Sequence, residues 1–291
     1  MNHSRNLPML ETRQMKRAIV LAAGTGSRLV TGELEPKPLK PVAGVPLLVR
    51  ILRTLSAEGI REVVIVTGFK QELIRRAIDA DRSLGLDITF VTNDRFDKKN
   101  GVSLLAARDY VVEGTLLTMA DHLYAPAIVR RLNALGLPNE AAALGVDYDI
   151  PRCFDLDDAT KVRVERGLIV DIGKEIPAYD ALDTGVFRIG PSLVNSLAAV
   201  YDERGDCSLS EGVRALADRG LFVACDVGDA RWVDVDTPAA LEEAERLLAL
   251  YGDSLDRDVV ARVASPTTNR TRPAPFQHVQ HASHVVGADA E

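Results

Sequence analysis

The chain has 291 residues, 46% of them hydrophobic and 26% charged, which is enough apolar material for one large globular core and unlike a low-complexity or fibrous sequence. A formal net charge of −7 argues against a broad nucleic-acid face, because the field of the whole chain repels a phosphate backbone, whereas a small anionic ligand needs only a few local cations. Cys153, Cys207 and Cys225 show no CxxC spacing and make no even set, which argues against a zinc site or a disulfide framework, and no apolar stretch approaches the roughly eighteen residues of a membrane span.

Residues 1–15 form a polar leader without the apolar segment of a signal peptide, so the reading is a cytoplasmic protein with reduced thiols. A β-branched run at residues 18–21 predicts the first strand, which passes into Leu21-Ala22-Ala23-Gly24-Thr25-Gly26-Ser27-Arg28-Leu29. Ala22, Ala23, Gly24 and Gly26 lack bulky side chains, so ligand oxygens can reach main-chain N–H groups there, and such a concave set of donors favours anions. Arg28 adds a fork of donors suited to phosphate oxygens. Lys37, in Pro36-Lys37-Pro38-Leu39, adds a compact charge for the oxygens of a phosphorus under attack, while Lys40 reads as a surface lysine. Leu29 stands where a dinucleotide fingerprint needs its third glycine, and no GxxxxGK[ST] stretch occurs. The plain alternative is a glycine-rich βα turn with two solvated cations.

Strands are expected at 63–67, 88–92 and 116–119, with helices at 46–57 and 71–80 between them. This alternation predicts the fold class: α/β, a Rossmann-like doubly wound mixed sheet, with a smaller acceptor-side β-rich region in the second half. Ligands of such sheets sit beyond the carboxyl ends of the strands, so the glycine loop and Asp121 are expected to face one crevice. Asn100-Gly101 alone would read as a turn. Further on, 161–164 and 168–172 read as a hairpin around Arg166-Gly167, 185–189 as a strand, and 191–201, 209–219 and 238–251 as helices. The domain is expected over 16–251. Residues 252–291 are expected as a mobile tail, and its His278, His281 and His284 as solvated rather than metal-binding.

Asp121 ends an apolar strand, and Asp234 and Asp236 alternate with apolar residues in Trp232-Val233-Asp234-Val235-Asp236-Thr237, which places them on one face. Carboxylates at strand ends suit Mg²⁺, which keeps waters and substrate phosphates in the rest of its octahedron. Alternatively, Asp236 or Thr237 caps the helix that begins at Pro238.

Over about residues 15–250, the glycine loop, Pro36-Lys37-Pro38-Leu39, Asp121 and the late Asp-Val-Asp-Thr run resemble the nucleotidyltransferases that join a nucleoside monophosphate to a sugar or alcohol phosphate. Asn100-Gly101-Val102-Ser103, Met119-Ala120-Asp121-His122, Lys161-Val162-Arg163, Gly173-Lys174 and Asp183-Thr184-Gly185 are similar, within that superfamily, to the CTP:inositol-1-phosphate cytidylyltransferases. The resemblance implies that Gly24, Gly26, Ser27 and Arg28 bind the triphosphate and Lys37 contacts the α-phosphate. Asn100, Gly101 and Ser103 then lie near base and ribose, and Asp121 with Asp234 or Asp236 holds Mg²⁺. Lys174, Asp183 and Thr184 meet the acceptor, and Lys161 either binds the acceptor phosphate or decorates the hairpin. The implied partners are CTP or another nucleoside triphosphate, a phosphorylated alcohol and, downstream, a membrane CDP-alcohol phosphotransferase. His122 is not needed as a base, since a phosphomonoester is already ionised at neutral pH. Rival readings are another acceptor or base (phosphocholine, a phosphonate, or a sugar or carbocyclic sugar 1-phosphate, with UTP, GTP or ATP), a non-catalytic nucleotide sensor, and an assembly role for the tail.

Overall fold

The computed structural model describes residues 14–26 and 36–256. Ser27 and Arg28, and nearly all of the expected tail with its three histidines, lie outside the described residues.

In β1 (Arg17–Ala22) Ala18, Val20 and Ala22 join one apolar cluster, and Ile19 and Leu21 join another. A strand apolar on both faces must be covered on both, and the chain order supplies that cover. A ribbon of β2 (Pro41–Val42) and β3 (Val45–Pro46) leads into α1 (Leu47–Ala57), β4 (Glu62–Thr67), α2 (Gln71–Ala80), β5 (Asp87–Thr92), α3 (Asn100–Ala106) and β6 (Thr115–Met119). Then come β7 (His122–Tyr124), α4 (Pro126–Ala134), β8 (Ala142–Asp147), β9 (Lys161–Glu165), β10 (Leu168–Gly173) and β11 (Ala181–Ile189). The described part closes with α5 (Pro191–Arg204), α6 (Leu209–Ala217), β12 (Phe222–Asp226), β13 (Trp232–Asp234) and α7 (Pro238–Tyr251). Helices α1, α2, α4 and α7 bury their apolar residues in the cluster of Val20, and α3, α5 and α6 in the cluster of Ile19.

The main sheet has nine strands in the order β5-β4-β1-β6-β11-β8-β12-β10-β9. Its β5, β4, β1 and β6 are parallel, β11 is antiparallel to both β6 and β8, and β12 is parallel to β8. The strands expected as the acceptor-side β-rich region extend this same sheet. The chain winds outward from β1 to β4 and β5, then returns past β1 to β6. That reversal opens a crevice at the carboxyl ends of β1 and β6.

Local chemistry sets the element ends. Ile74 and Ile78, one turn apart, are buried and hold α2 to the sheet. Ser208 and Glu211 form a reciprocal capping box on α6, and Thr237 accepts from the Ala240 N–H at 3.1 Å to cap α7 ahead of Pro238. The β9–β10 hairpin turns on Arg166 and Gly167, both at positive φ, the conformation a two-residue type I′ turn requires. Asn100-Gly101 opens α3 and is not a free-standing turn.

Candidate active site

Leu21 pairs with Met119 across β1 and β6, so the glycine loop and Asp121 leave the sheet side by side. Gly26 has φ +60°, and a Cβ there would lie 2.4 Å from the Cβ of Lys37. Only glycine lets the Lys37 stem pass so close. At Gly24, by contrast, no atom of the described residues lies within 4 Å of where a Cβ would go. The loop and Lys37 enclose a cavity of about 250 Å³, lined also by Ala22, Asp121 and Asp236.

The acidic residues are gathered by a small antiparallel ribbon of β7 and β13, in which His122 pairs with Asp234. One residue further on, the Val235 N–H donates to the Asp121 carbonyl at 2.8 Å. Lys37, only 7% exposed, points its ammonium between the two carboxylates, donating to Asp121 Oδ2 at 3.0 Å and to Asp234 Oδ1 at 3.5 Å. His122 Nδ1 lies 2.9 Å from the other Asp121 oxygen. Burial disfavours the charge on Asp121, but Lys37 and His122 outweigh it and hold this carboxyl well below the usual range. Burial likewise works against a charged His122, yet Asp234 and the bond to Asp121 push its pKa up to about 9. Asp234 is moved up, by burial first and then by the neighbouring Asp121, against the pull of His122 and Lys37.

Carboxylate oxygens of Asp121 and Asp234 lie with a His122 nitrogen within 4.8 Å of one another, and those of Asp158, Asp234 and Asp236 form a second such group. The carboxylate oxygens that dominate both groups suit a hard divalent cation. Thr237 caps α7, and Asp236 lines both cavities. Asp158, from the β8–β9 loop, is a member that sequence reading missed.

A larger cavity of about 380 Å³ adjoins the first, sharing Gly24, Asp121 and Asp236 in its wall. Ala23, Asn100 and Ser103 line one part of it, with Ser103 accepting from Asn93 Nδ2 at 3.0 Å and Asn100 Oδ1 accepting from the Leu209 N–H at 2.9 Å. Lys174 and Asp183 line the same cavity, and Lys174 is ion-paired to Asp158 at 2.5 Å. Asp183 Oδ1 accepts from the Gly185 N–H at 2.7 Å, and burial raises its pKa to about 6 against that bond and the His122 charge. The register between β11 and β8 shifts from Asp183 to Phe187 around Gly185, φ +74°, where a Cβ would sit 2.5 Å from His122.

Three expected ligand contacts do not face the cavities. Gly101 packs against the loop before α6, where a Cβ would be 2.6 Å from the Cys207 carbonyl oxygen, so its role is close packing. Thr184 is fully buried and donates to the Gly145 carbonyl at 2.8 Å: with Asp183 turned to the cavity, strand alternation turns Thr184 into the sheet. Lys161 is buried and donates to the Asp157 carbonyl at 3.0 Å, tying down the β8–β9 loop from below. Sequence reading also missed Asp147, Arg152 and Trp232 in the wall of the larger cavity. An acid closing a strand, as Asp121 does, was the available signal for Asp147.

An anion-favouring loop beside an acidic, cation-fitting cluster, at the point where a doubly wound sheet reverses, is the arrangement of a nucleotidyltransferase. Comparison with known proteins agrees: residues 18–155 match the MobA-like NTP transferase domain. It is 39% identical over 84% of its length to a bifunctional IPC transferase and DIPP synthase of Rubrobacter xylanophilus, of which it covers 55%. With the protein of the same description from Archaeoglobus fulgidus the identity is 32% over 89% of this chain and 51% of the relative. The chain thus spans about half the length of these curated relatives. Among solved structures, the inositol-1-phosphate CTP transferase from T. maritima superposes with a TM-score of 0.73 at 29% identity, covering 84% of this chain and 97% of that one.

Proposed function

We propose that this chain transfers the cytidylyl group of CTP to inositol 1-phosphate, or to a closely similar cyclitol or polyol phosphate, giving CDP-inositol and pyrophosphate. The observation that carries the reading is the placement of Lys37 between Asp121 and Asp234, on the wall of the glycine-loop cavity and next to the larger one. The likeness to the T. maritima inositol-1-phosphate CTP transferase and to the IPC transferases supports the choice of nucleotide and acceptor.

In this reading an oxygen of the acceptor phosphate attacks the α-phosphorus of CTP in line. A P–O bond forms there, and the bond to the bridging oxygen breaks to release pyrophosphate. The acceptor phosphate is already ionised, so no side chain need take its proton. Main-chain amides of residues 22–26 hold the triphosphate, with Ser27 and Arg28 assigned to it from sequence. Lys37 places charge at the attacked phosphorus, Asn100 and Ser103 border base and ribose, and Lys174 and Asp183 meet the acceptor. Asp121, with Asp234 or Asp236, would hold Mg²⁺, which supplies charge neutralisation on the phosphates when bound. A membrane CDP-alcohol phosphotransferase is the kind of enzyme that consumes such a product. Among the described residues no helix is long and apolar enough to cross a membrane, and we assign the reaction to the cytoplasm.

Pyrophosphate release measured with four nucleoside triphosphates against a panel of phosphorylated alcohols, with Mg²⁺, tests the proposal. CTP with inositol 1-phosphate is expected to be the best pair, and turnover only with UTP and a hexose 1-phosphate rejects it. Lys37→Ala and Asp121→Ala should each lose about 10²–10³ in kcat, the effect of deleting one charge-stabilising group, while circular dichroism stays native.

A further inference from the structure

Asp147 closes β8 and is 2% exposed. Arg152 Nη2 donates to both of its oxygens, at 2.8 and 2.9 Å, and also to the Gly228 carbonyl at 3.0 Å. The indole N–H of Trp232 donates to Asp147 Oδ2 at 2.9 Å. One buried carboxylate therefore joins β8, the β8–β9 loop that lines the larger cavity, and the strand that carries Asp234. A buried ion pair is weak evidence for stability, because desolvation cancels much of its attraction, so what it orients is the more informative question.

It orients a ring. The Trp232 indole lies parallel to the His122 imidazole, 9° between planes with centroids 6.2 Å apart. Gly185 presses on His122 as well, so closely that a Cβ there would be 2.5 Å from its Cδ2. The imidazole, fixed by these neighbours, meets Asp121 Oδ1 at 2.9 Å while Lys37 holds Oδ2 at 3.0 Å. With both oxygens engaged, the Asp121 carboxylate has one orientation rather than a spread of them.

We propose that Asp147 is a positioning residue: by tethering the Trp232 indole N–H it seats the ring beside His122, and through His122 it sets the direction of the Asp121 carboxylate. This rests on the assignment of Asp121 to a divalent cation. Trp232 is the single tryptophan of the chain, so its fluorescence reports the relay directly.

The test uses the whole chain, with Mn²⁺ as a paramagnetic quencher of nearby indole emission. In Asp147→Asn the emission maximum should shift, half-saturation by Mn²⁺ should rise about 10-fold, and kcat should fall about 10–100-fold with KM for CTP within about twofold, as for the loss of an outer ligand-orienting group. A wild-type Mn²⁺ titration and kcat in that variant overturn the relay. If Mn²⁺ does not quench the unmodified protein, the cation assignment itself falls and takes the relay with it, so the two failures are told apart. Should Asp147→Asn not fold, Trp232→Phe decides: it keeps a ring and removes the tethered N–H, so a comparable kcat loss is expected and an unchanged kcat overturns the proposal. In the double variant the two losses should not multiply, whereas independent, multiplying losses refute a shared path.

Discussion

Gly24 and Gly26, two residues apart, are expected to answer replacement by alanine in opposite ways. Gly26 has φ +60°, where an L-residue costs about 1–2 kcal/mol. Its new methyl would also stand 2.4 Å from Lys37 Cβ, so the lysine must retreat by about 1 Å to reach ordinary contact. That retreat breaks the 3.0 Å bond to Asp121, and a displacement of about 1 Å at a reacting group costs about 10²-fold in rate. Gly26→Ala should therefore lower the thermal midpoint by roughly 2–8 °C, at about 2–4 °C per kcal/mol for a domain of this size, and cut kcat about 100-fold. Gly24 is not in the left-handed region and, among the described residues, has no atom within 4 Å of its ideal Cβ. Gly24→Ala should leave the midpoint within about 1 °C while raising KM for the nucleotide, because the methyl projects where loop amides meet the ligand. Scanning calorimetry and steady-state pyrophosphate release on both variants suffice. Equal midpoints for the two, or a wild-type kcat in Gly26→Ala, would refute the assignment of Gly26 to the seating of Lys37.

Asp183 binds its proton more tightly folded than unfolded, so the native state holds the extra proton and stability should fall as pH rises from the ordinary carboxylate range through about 6. Asp183→Asn should flatten that part of a urea-midpoint profile, a change of at most about 3 kcal/mol above pH 7, and an unchanged slope counts against the assignment. Thr184→Val should cost about 1 kcal/mol, from the lost bond to the Gly145 carbonyl, and leave KM for the acceptor alone; a raised acceptor KM would return Thr184 to the binding site. Lys174→Gln should raise acceptor KM severalfold at constant KM for CTP. Its ion pair with Asp158 is half-exposed, so the unfolding free energy should move by less than about 1 kcal/mol, and a CTP effect of equal size would place Lys174 elsewhere.

What was legible in the sequence is what short-range chemistry determines. The bounds of α2 and α7 follow from Ile74 and Ile78 one turn apart and from Thr237-Pro238, and the β9–β10 turn from Arg166-Gly167. That the glycine loop and Asp121 face one crevice followed from alternation and topology, whereas the gathering of Lys37, Asp234 and Asp236 beside them was implied only by the family resemblance. Strand β8 was not legible, because Ala-Ala-Leu-Gly-Val-Asp has little strand propensity of its own and is held in place by β11 and β12, both later in the chain. With β8 missed, Asp147 had no place, and neither had its partners Arg152 and Trp232. Gly101 and Thr184 stand apart from the cavities for another reason. A motif lends its role to a run of neighbours, but helix and strand geometry turn adjacent residues to different faces, so Asn100 and Asp183 reach the cavity while Gly101 and Thr184 pack inward.

The same geometry reconciles the two roles that fall to Lys37. An ammonium has three N–H donors, and Asp121 and Asp234 engage two of them. The stem of Lys37 runs past Gly26 of the glycine loop, and the lysine shares with that loop the wall of the smaller cavity. The third donor can therefore serve a phosphate oxygen in the cavity of about 250 Å³ without releasing either carboxylate. A lysine so buried is stable as a cation only because it is paired, and Asp121 and Asp234 do raise its pKa against the effect of burial. The acids that fit a divalent cation are thus also the reason a positive charge stands in the wall of the cavity beside the glycine loop. Removing either partner should disturb the other, and for that reason Lys37 and Asp121 are better understood as one charge-bearing unit than as a phosphate ligand and a metal ligand placed side by side.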